Sequence, residues 1–287
     1  MFPIRDELGR IVGFSGRTLS REPTVAKYVN SPESPLFRKS HLLYALDRAR
    51  RDIADAHEAI ICEGQIDVIR CHQAGFKTAV AAQGTAFTED HARILKRYAD
   101  GAILVFDGDT AGTKAAIKTA RILLAAGLSA RVASLPAGED PDSFLLKQGA
   151  TAFRQALAEA GSIIAFHLRA MQRAENPDSP IGLARMTASL FETVMASPSP
   201  ILRDGMIEEI ARLTLRDILV LKREFQRVRS PAPSARGAAP QAPAPAPIPP
   251  PRTHARRTPP GQPGLGPPGR TVRAAGPDLP PALPPVH

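Results

Sequence analysis

Apolar residues in this chain change their spacing several times, and each change marks a predicted element. Residues 2–18 alternate apolar and polar around Asp6-Glu7-Leu8-Gly9, the pattern of a β-hairpin. The stretch Lys27-Tyr28-Val29-Asn30-Ser31-Pro32-Glu33-Ser34-Pro35 carries two prolines that steer their neighbours away from helix, and reads as loop. Leu42, Leu43, Leu46, Ala49 and Ile53 then recur at helical spacing, with Arg48, Arg50, Arg51 and Asp52 between them. That predicts an amphipathic helix at about 41–56. Beyond it, apolar runs near 59–62, 78–82, 102–106 and 130–135 alternate with helical stretches near 65–74, 88–99 and 111–126. Gly75 and Gly127 stand where a left-handed residue ends many helices. Strand and helix alternating through short links predict a parallel sheet flanked by helices. After Pro141 the pattern is helical, at 141–148, 151–173, 180–196 and 201–228, which predicts a small helical bundle.

Composition then divides the chain. Residues 230–287 hold 19 of the 29 prolines, and too little apolar surface to offset their ordering entropy, so a disordered proline-rich tail is expected. The tail carries six Arg against one Asp, leaving only +4 of the net +9 for residues 1–229. Its charge favours polyanionic partners. Cys62 and Cys71 are the only cysteines and lack CxxC spacing, so no structural zinc is expected. Cys62 reads as a small buried hydrophobe in a reducing compartment. No run nears the ~18 apolar residues that span a bilayer. Arg5, Asp6 and Glu7 interrupt any signal-peptide core. A cytoplasmic monomer with no membrane partner is expected.

Chemistry enters at the ends of the apolar runs. Ala59-Ile60-Ile61-Cys62 is followed by Glu63-Gly64-Gln65-Ile66-Asp67, and Ala102-Ile103-Leu104-Val105-Phe106 by Asp107-Gly108-Asp109. Carboxylates placed there project from the carboxyl edge of a parallel sheet, where open α/β folds bind ligands. Gathered together they repel unless a cation neutralises them, and hard oxygen donors suit Mg²⁺ or Mn²⁺. Each has a plainer reading beside this one. Glu63 and Asp67 could complement a helix dipole, and Asp109 could cap the helix near Ala111. Asp107 has no such alternative. Gly138-Glu139-Asp140-Pro141-Asp142 forms a third acidic patch, either outer ligands or a turn before a helix. Gln83-Gly84-Thr85 lies on the same edge and offers backbone N–H groups to a phosphate. Arg17, Lys27, Arg38 and Lys39, with Tyr28 and Asn30, suit phosphate contacts that position a nucleic acid without reading its sequence. A solvated basic surface would look the same.

EGQID followed 44 residues after its Glu by DGDTAG resembles the Toprim domain of primases, topoisomerases and some nucleases. FPIRD…GRIVGFSGR, KYVNSPES, FRKSHLLYAL, AAQGT, FDGDTAG and PAGEDPDS narrow the resemblance to the bacterial DnaG-type replicative primase, strongly over about 1–150 and more loosely to 229. It implies metal-binding carboxylates at Glu63, Asp107 and Asp109, with Asp67, Asp140 and Asp142 in the same acidic site. It further implies template and nucleotide contacts at Arg17, Lys27 and Lys39, to which the reading of the residues above adds Tyr28 and Asn30. The expected domains are 1–57, the end of the polymerase N-subdomain; 58–148, Toprim; 149–229, a helical bundle; and 230–287, the tail. Two positions depart from the family, which usually has Tyr or Phe at Gln65 and Leu at Gln83. The resemblance also implies a chain truncated at both ends, without the zinc module or the domain that binds the replicative helicase. The expected activity is metal-dependent RNA primer synthesis from ribonucleoside triphosphates on single-stranded DNA. A Toprim nuclease or topoisomerase-like enzyme is the alternative, though Tyr28, Tyr44 and Tyr98 are the only tyrosines to supply a nucleophile. A non-catalytic nucleic-acid-binding fragment is another.

Overall fold

The computed structural model describes residues 1–18, 28–173, 175–176 and 179–229, so Lys27 and the proline-rich tail lie outside the described residues. The N-terminal alternation forms the antiparallel pair β1 (Phe2–Arg5) and β2 (Ile11–Arg17), and Tyr28–Asn30, within the stretch expected to be loop, adds β3 to make a three-stranded antiparallel sheet. Ile4, Phe37 and Leu42 make its small core. Gly13 is required there, because an added Cβ would stand 2.9 Å from the Phe37 ring.

A six-stranded sheet follows, in the order β4-β6-β5-β7-β8-β9. Its centre is parallel: β6 (Ala79–Ala82), β5 (Glu58–Cys62), β7 (Gly101–Val105) and β8 (Ser129–Val132). All five residues of β7 are buried, as both faces of a covered parallel strand must be. Ile61 and Leu104 face one core, shared with α1 (Leu46–Ala56), α3 (Glu89–Leu95), α4 (Thr110–Ala125) and the later helices. Ile60, Ile103 and Val105 face the other, under α2 (Gln65–Gln73) and α5 (Pro141–Ala158).

The edges depart from a purely parallel sheet. β4 (Leu43–Tyr44) pairs antiparallel with β6, and β9 (Gly161–Ser162) antiparallel with β8. The helix expected at 41–56 therefore starts only at Leu46. Ala45, left-handed at φ 66°, turns the chain out of β4, and residues 39–41 form a short 3₁₀ turn. The stretch expected at 88–99 is helical only to Leu95. That expected at 151–173 is divided by β9 into the end of α5 and α6 (Ile163–Gln172). Gly149, at φ 80°, kinks α5 where the periodicity breaks. α7 (Pro180–Ala196) matches its expected span. The long helix expected at 201–228 is two, α8 (Pro200–Thr214) and α9 (Ile218–Arg229), with left-handed Leu215 at φ 54° between them. Among the described residues no helix is long and apolar enough to cross a membrane. Cys62 and Cys71 are buried and form no disulfide, their Sγ atoms lying 4.0 Å apart, in keeping with a core role.

Candidate metal and nucleotide site

The parallel register sets Cys62 beside Val105, so the chain leaves β5 and β7 at the same edge of the sheet. Glu63 and Asp107 emerge there, and the backbone N–H of Asp107 donates to Glu63 Oε1 at 2.9 Å. Asp109 caps α4, its Oδ1 accepting from the Gly112 N–H at 2.7 Å. Gly112 keeps this corner open. A Cβ on it would meet the Asp107 carbonyl and lie 2.7 Å from Glu63 Oε1. The loop after β7 is strapped to the loop after β8, since Gly108 N–H donates to the Glu139 carbonyl at 3.2 Å.

The other acidic residues are held by local bonds. Asp67 Oδ2 accepts from the Gly64 N–H at 3.1 Å at the start of α2. Asp140 caps α5 through the Ser143 N–H at 2.7 Å. Asp142 accepts from Arg70 at 2.6 Å and forms an ion pair with it. The plainer capping reading of Asp109 is therefore a real structural role, and Asp140 also caps a helix, whatever else these residues do.

These charges act on one another. Burial, then repulsion from Asp107 and Asp109, raises the Glu63 carboxyl above its ordinary value, opposed by the Asp107 N–H. Burial and the charges of Asp140 and Asp107 lift Asp67 to about 7. A group of carboxylates that oppose one another's ionisation is a place where a cation lowers the energy. The donor set, all carboxylate oxygen, fits Mg²⁺ or Mn²⁺. Among the described residues, no three acidic, histidine or cysteine side chains are arranged to hold an ion by themselves. Mg²⁺ seldom needs such a cage, binding through one or two carboxylates plus substrate phosphates and water.

The three-stranded sheet borders this edge. Arg17 lies over the Tyr28 ring, 5.7 Å from its centroid. Burial raises the Tyr28 hydroxyl; Arg17 lowers it and the charges of Asp67 and Asp142 raise it, which places this pair beside the acids. Asn30 accepts from Gln83 at 3.4 Å. Tyr98 instead donates to Glu7 at 2.9 Å, and Tyr44 sits on β4. The structure thus brings Glu63, Asp67, Asp107, Asp109 and Asp140 into one electrostatic group, with Tyr28 and Arg17 beside it.

Two residues passed over by the sequence reading matter here. His91, fully buried, receives the Thr88 N–H on Nδ1 at 3.1 Å, so its Nε2–H donates to the Lys39 carbonyl at 2.9 Å. The Thr88-x-x-His91 spacing at a helix start was the available signal. Ser15, also buried, accepts from Gln65 at 3.2 Å; its only signal was a small polar residue on the inward face of β2.

Two families match the chain: Toprim-like over residues 60–145, and the DNA primase catalytic core, N-terminal domain, over residues 1–50. A DNA primase domain from Pseudomonas aeruginosa is 34% identical at a TM-score of 0.69, the match covering 79% of this chain and 71% of that one. The chain belongs to the bacterial DnaG-type DNA primase family. A DnaG primase catalytic domain solved bound to ssDNA is similar at 35% identity and TM-score 0.64, covering 74% of this chain and 68% of that one. The DNA primase of Chlamydia muridarum is 37% identical over 214 residues, which are 74% of this chain and 36% of that protein. The chain thus spans about a third of the length of the curated primases it matches. The sheet edge described above falls within the Toprim-like match, and the Arg17–Tyr28 sheet within the primase N-terminal match.

Proposed function

We propose that this chain is a catalytic core of primase type, joining ribonucleotides on single-stranded DNA. The observation that supports it most is the pairing of Glu63 and Asp107 across adjacent parallel strands, in a chain of the DNA primase family. Glu63, Asp107 and Asp109 would hold Mg²⁺ or Mn²⁺, with Asp67, Asp140 and Asp142 setting the surrounding charge. A divalent ion bound there neutralises phosphate charge and favours ionisation of an attacking hydroxyl. The protein's own part is placement. Gly112 and the Asp107 N–H fix the Glu63 carboxylate, and the cap at Asp109 orients its remaining oxygen. Arg17, Tyr28, Asn30 and Lys39 would contact the template or nucleotide phosphates, and Lys27 joins them on sequence alone. On this reading residues 1–57 guide nucleic acid, 58–148 carry the metal chemistry and 149–229 brace the sheet.

The test is RNA synthesis by the chain on single-stranded DNA with four ribonucleoside triphosphates and Mg²⁺ or Mn²⁺. Template-dependent short RNA, absent from Asp109→Asn, is expected. DNA cleavage in place of synthesis would support a Toprim nuclease. Binding of DNA without either would leave a non-catalytic module.

A further inference from the structure

The flank of the metal edge away from Arg17 carries a second basic group that the chemistry above leaves unused. In the sheet order β8 lies on the other side of β7 from β5, and α6 packs against it. Arg169 lies in the last turn of α6 and Arg173 ends it, four residues apart and so on one face. Both are exposed, and among the described residues neither side chain has an ion pair or a hydrogen bond. They border a pit of about 70 Å³, faced by Asp107 and Gly108 from the loop after β7 and by Thr113 from the first turn of α4. Val132 and Leu135, buried and apolar, also line it. At roughly 30 Å³ per water, the pit holds about two waters. That is room for one tetrahedral anion, and too little for a sugar or a base.

The walls select the ligand. A guanidinium offers paired N–H donors that match two oxygens of a phosphate, and it stays charged at any working pH. Each head stands on a long stem rooted at the rim, so both can turn over the mouth. The first turn of α4 adds the positive end of a 16-residue helix. Asp107 works against a bare anion here. Two arginine charges outweigh that one, and a cation on Asp107 would reverse it. Size decides which phosphate. A phosphodiester within a strand carries a sugar on both sides, which a space of about two waters does not admit. A terminal phosphate has only one attachment.

We propose that Arg169 and Arg173 bind the terminal phosphate of a nucleoside triphosphate whose inner phosphates lie at the acidic edge. This rests on the primase reading and deepens it. The triphosphate would run from the Glu63 side across Asp107 toward α6, leaving Arg17, Tyr28 and Asn30 on the opposite flank.

Calorimetric titration with ATP, AMP and single-stranded oligo-dT in Mg²⁺ tests this in the wild type, Arg169→Gln, Arg173→Gln, the double glutamine variant and the double lysine variant. Each single glutamine should weaken ATP about three- to tenfold, as expected of a charge-assisted contact that water partly screens. The double glutamine variant should lose more. AMP, which lacks the outer phosphates, should bind the variants as it binds the wild type. The double lysine variant should recover part of the ATP affinity, because it keeps the charge and loses the fork. Both side chains are exposed, so thermal unfolding should not move. Should the double glutamine variant melt lower, the single variants and the lysine variant carry the comparison. Unchanged ATP binding in the double glutamine variant would overturn the inference. So would an equal loss for ATP and AMP, which would point to the first phosphate. Weaker oligo-dT binding with ATP unchanged would place a strand backbone at α6 and overturn it too. All of these outcomes spare the primase reading. Failure of the wild type to bind ATP at all would count against that reading, and the inference with it.

Discussion

The Asp107 N–H and Glu63 Oε1 meet at 2.9 Å, so the carboxylate at the end of one strand is positioned by the main chain of its neighbour. Glutamine can accept the same bond without the charge that Asp107 and Asp109 oppose. Glu63→Gln should therefore lose metal-dependent synthesis yet equal or exceed wild-type stability without metal. Glu63→Ala leaves the Asp107 N–H without this acceptor and should cost about 1 kcal/mol. Urea unfolding of both variants in chelator checks the difference.

Asp109 has two separable duties. Asn caps a helix about as well as Asp, whereas Ala costs about 1 kcal/mol. Asp109→Asn should keep the Gly112 N–H bond and wild-type stability; Asp109→Ala should lose the cap. Both should lose Mg²⁺-dependent activity. If Asp109→Asn were clearly destabilised too, the charge itself would be holding the fold.

Glycines in two helices should respond in opposite directions. Replacing Gly by Ala in a helix gains about 0.8–1 kcal/mol of intrinsic propensity. At Gly205 in α8 nothing lies within 4 Å of the added methyl, so Gly205→Ala should raise stability by most of that. At Gly112 the methyl meets a backbone carbonyl and Glu63, and the strain of overpacking, roughly 1–3 kcal/mol, outweighs the gain. Gly112→Ala should be destabilised and should bind Mg²⁺ more weakly; paired denaturation curves would show the opposite signs.

Two buried groups should bend the pH–stability curve in opposite senses. His167 accepts or donates to the hydroxyls of Thr193 and Ser189 at 3.0 and 3.1 Å; burial, then the Arg121 charge, holds it down at about 4, from an ordinary 6.5. Between those values the unfolded chain binds more protons, so this contribution is full above 6.5 and is lost as pH falls toward 4. Asp67, raised from 3.8 to about 7, does the reverse: the native state holds the extra proton, and its contribution is lost as pH rises through that window. At about 1.36 kcal/mol per pH unit, each is on the order of 3–4 kcal/mol. Without metal, the stability of each variant from pH 4 to 6.5 is read as a difference from the wild type. Asp67→Asn should then rise across that range and His167→Gln should fall; parallel slopes in the two variants would refute the assignment.

Strand ends and acids were legible because each acid follows an apolar run, and parallel pairing carries neighbouring run ends to one edge. The β4 turn was not. Leu42, Leu43 and Leu46 satisfy helical spacing as well as they satisfy a short strand, and only the left-handed Ala45 decides. Leu215 breaks α8 from α9 with neither Gly nor Pro to announce it. Ser15 and His91 act through partners 50 and 52 residues away, contacts that no local period encodes.

His91 also has a consequence for Lys39, one of the proposed phosphate contacts. It grips the Lys39 carbonyl, Thr88 Oγ1 donates to the Ser40 carbonyl at 2.7 Å, and the Glu33 carboxylate accepts from the Lys39 N–H. The main chain at Lys39 is thus fixed to the same α3 that packs on the sheet. Only the lysine's own side-chain torsions are left free, so if Lys39 contacts a phosphate as proposed, its ammonium would search about a stationary root, and the arc of that search would be set before the ligand arrives.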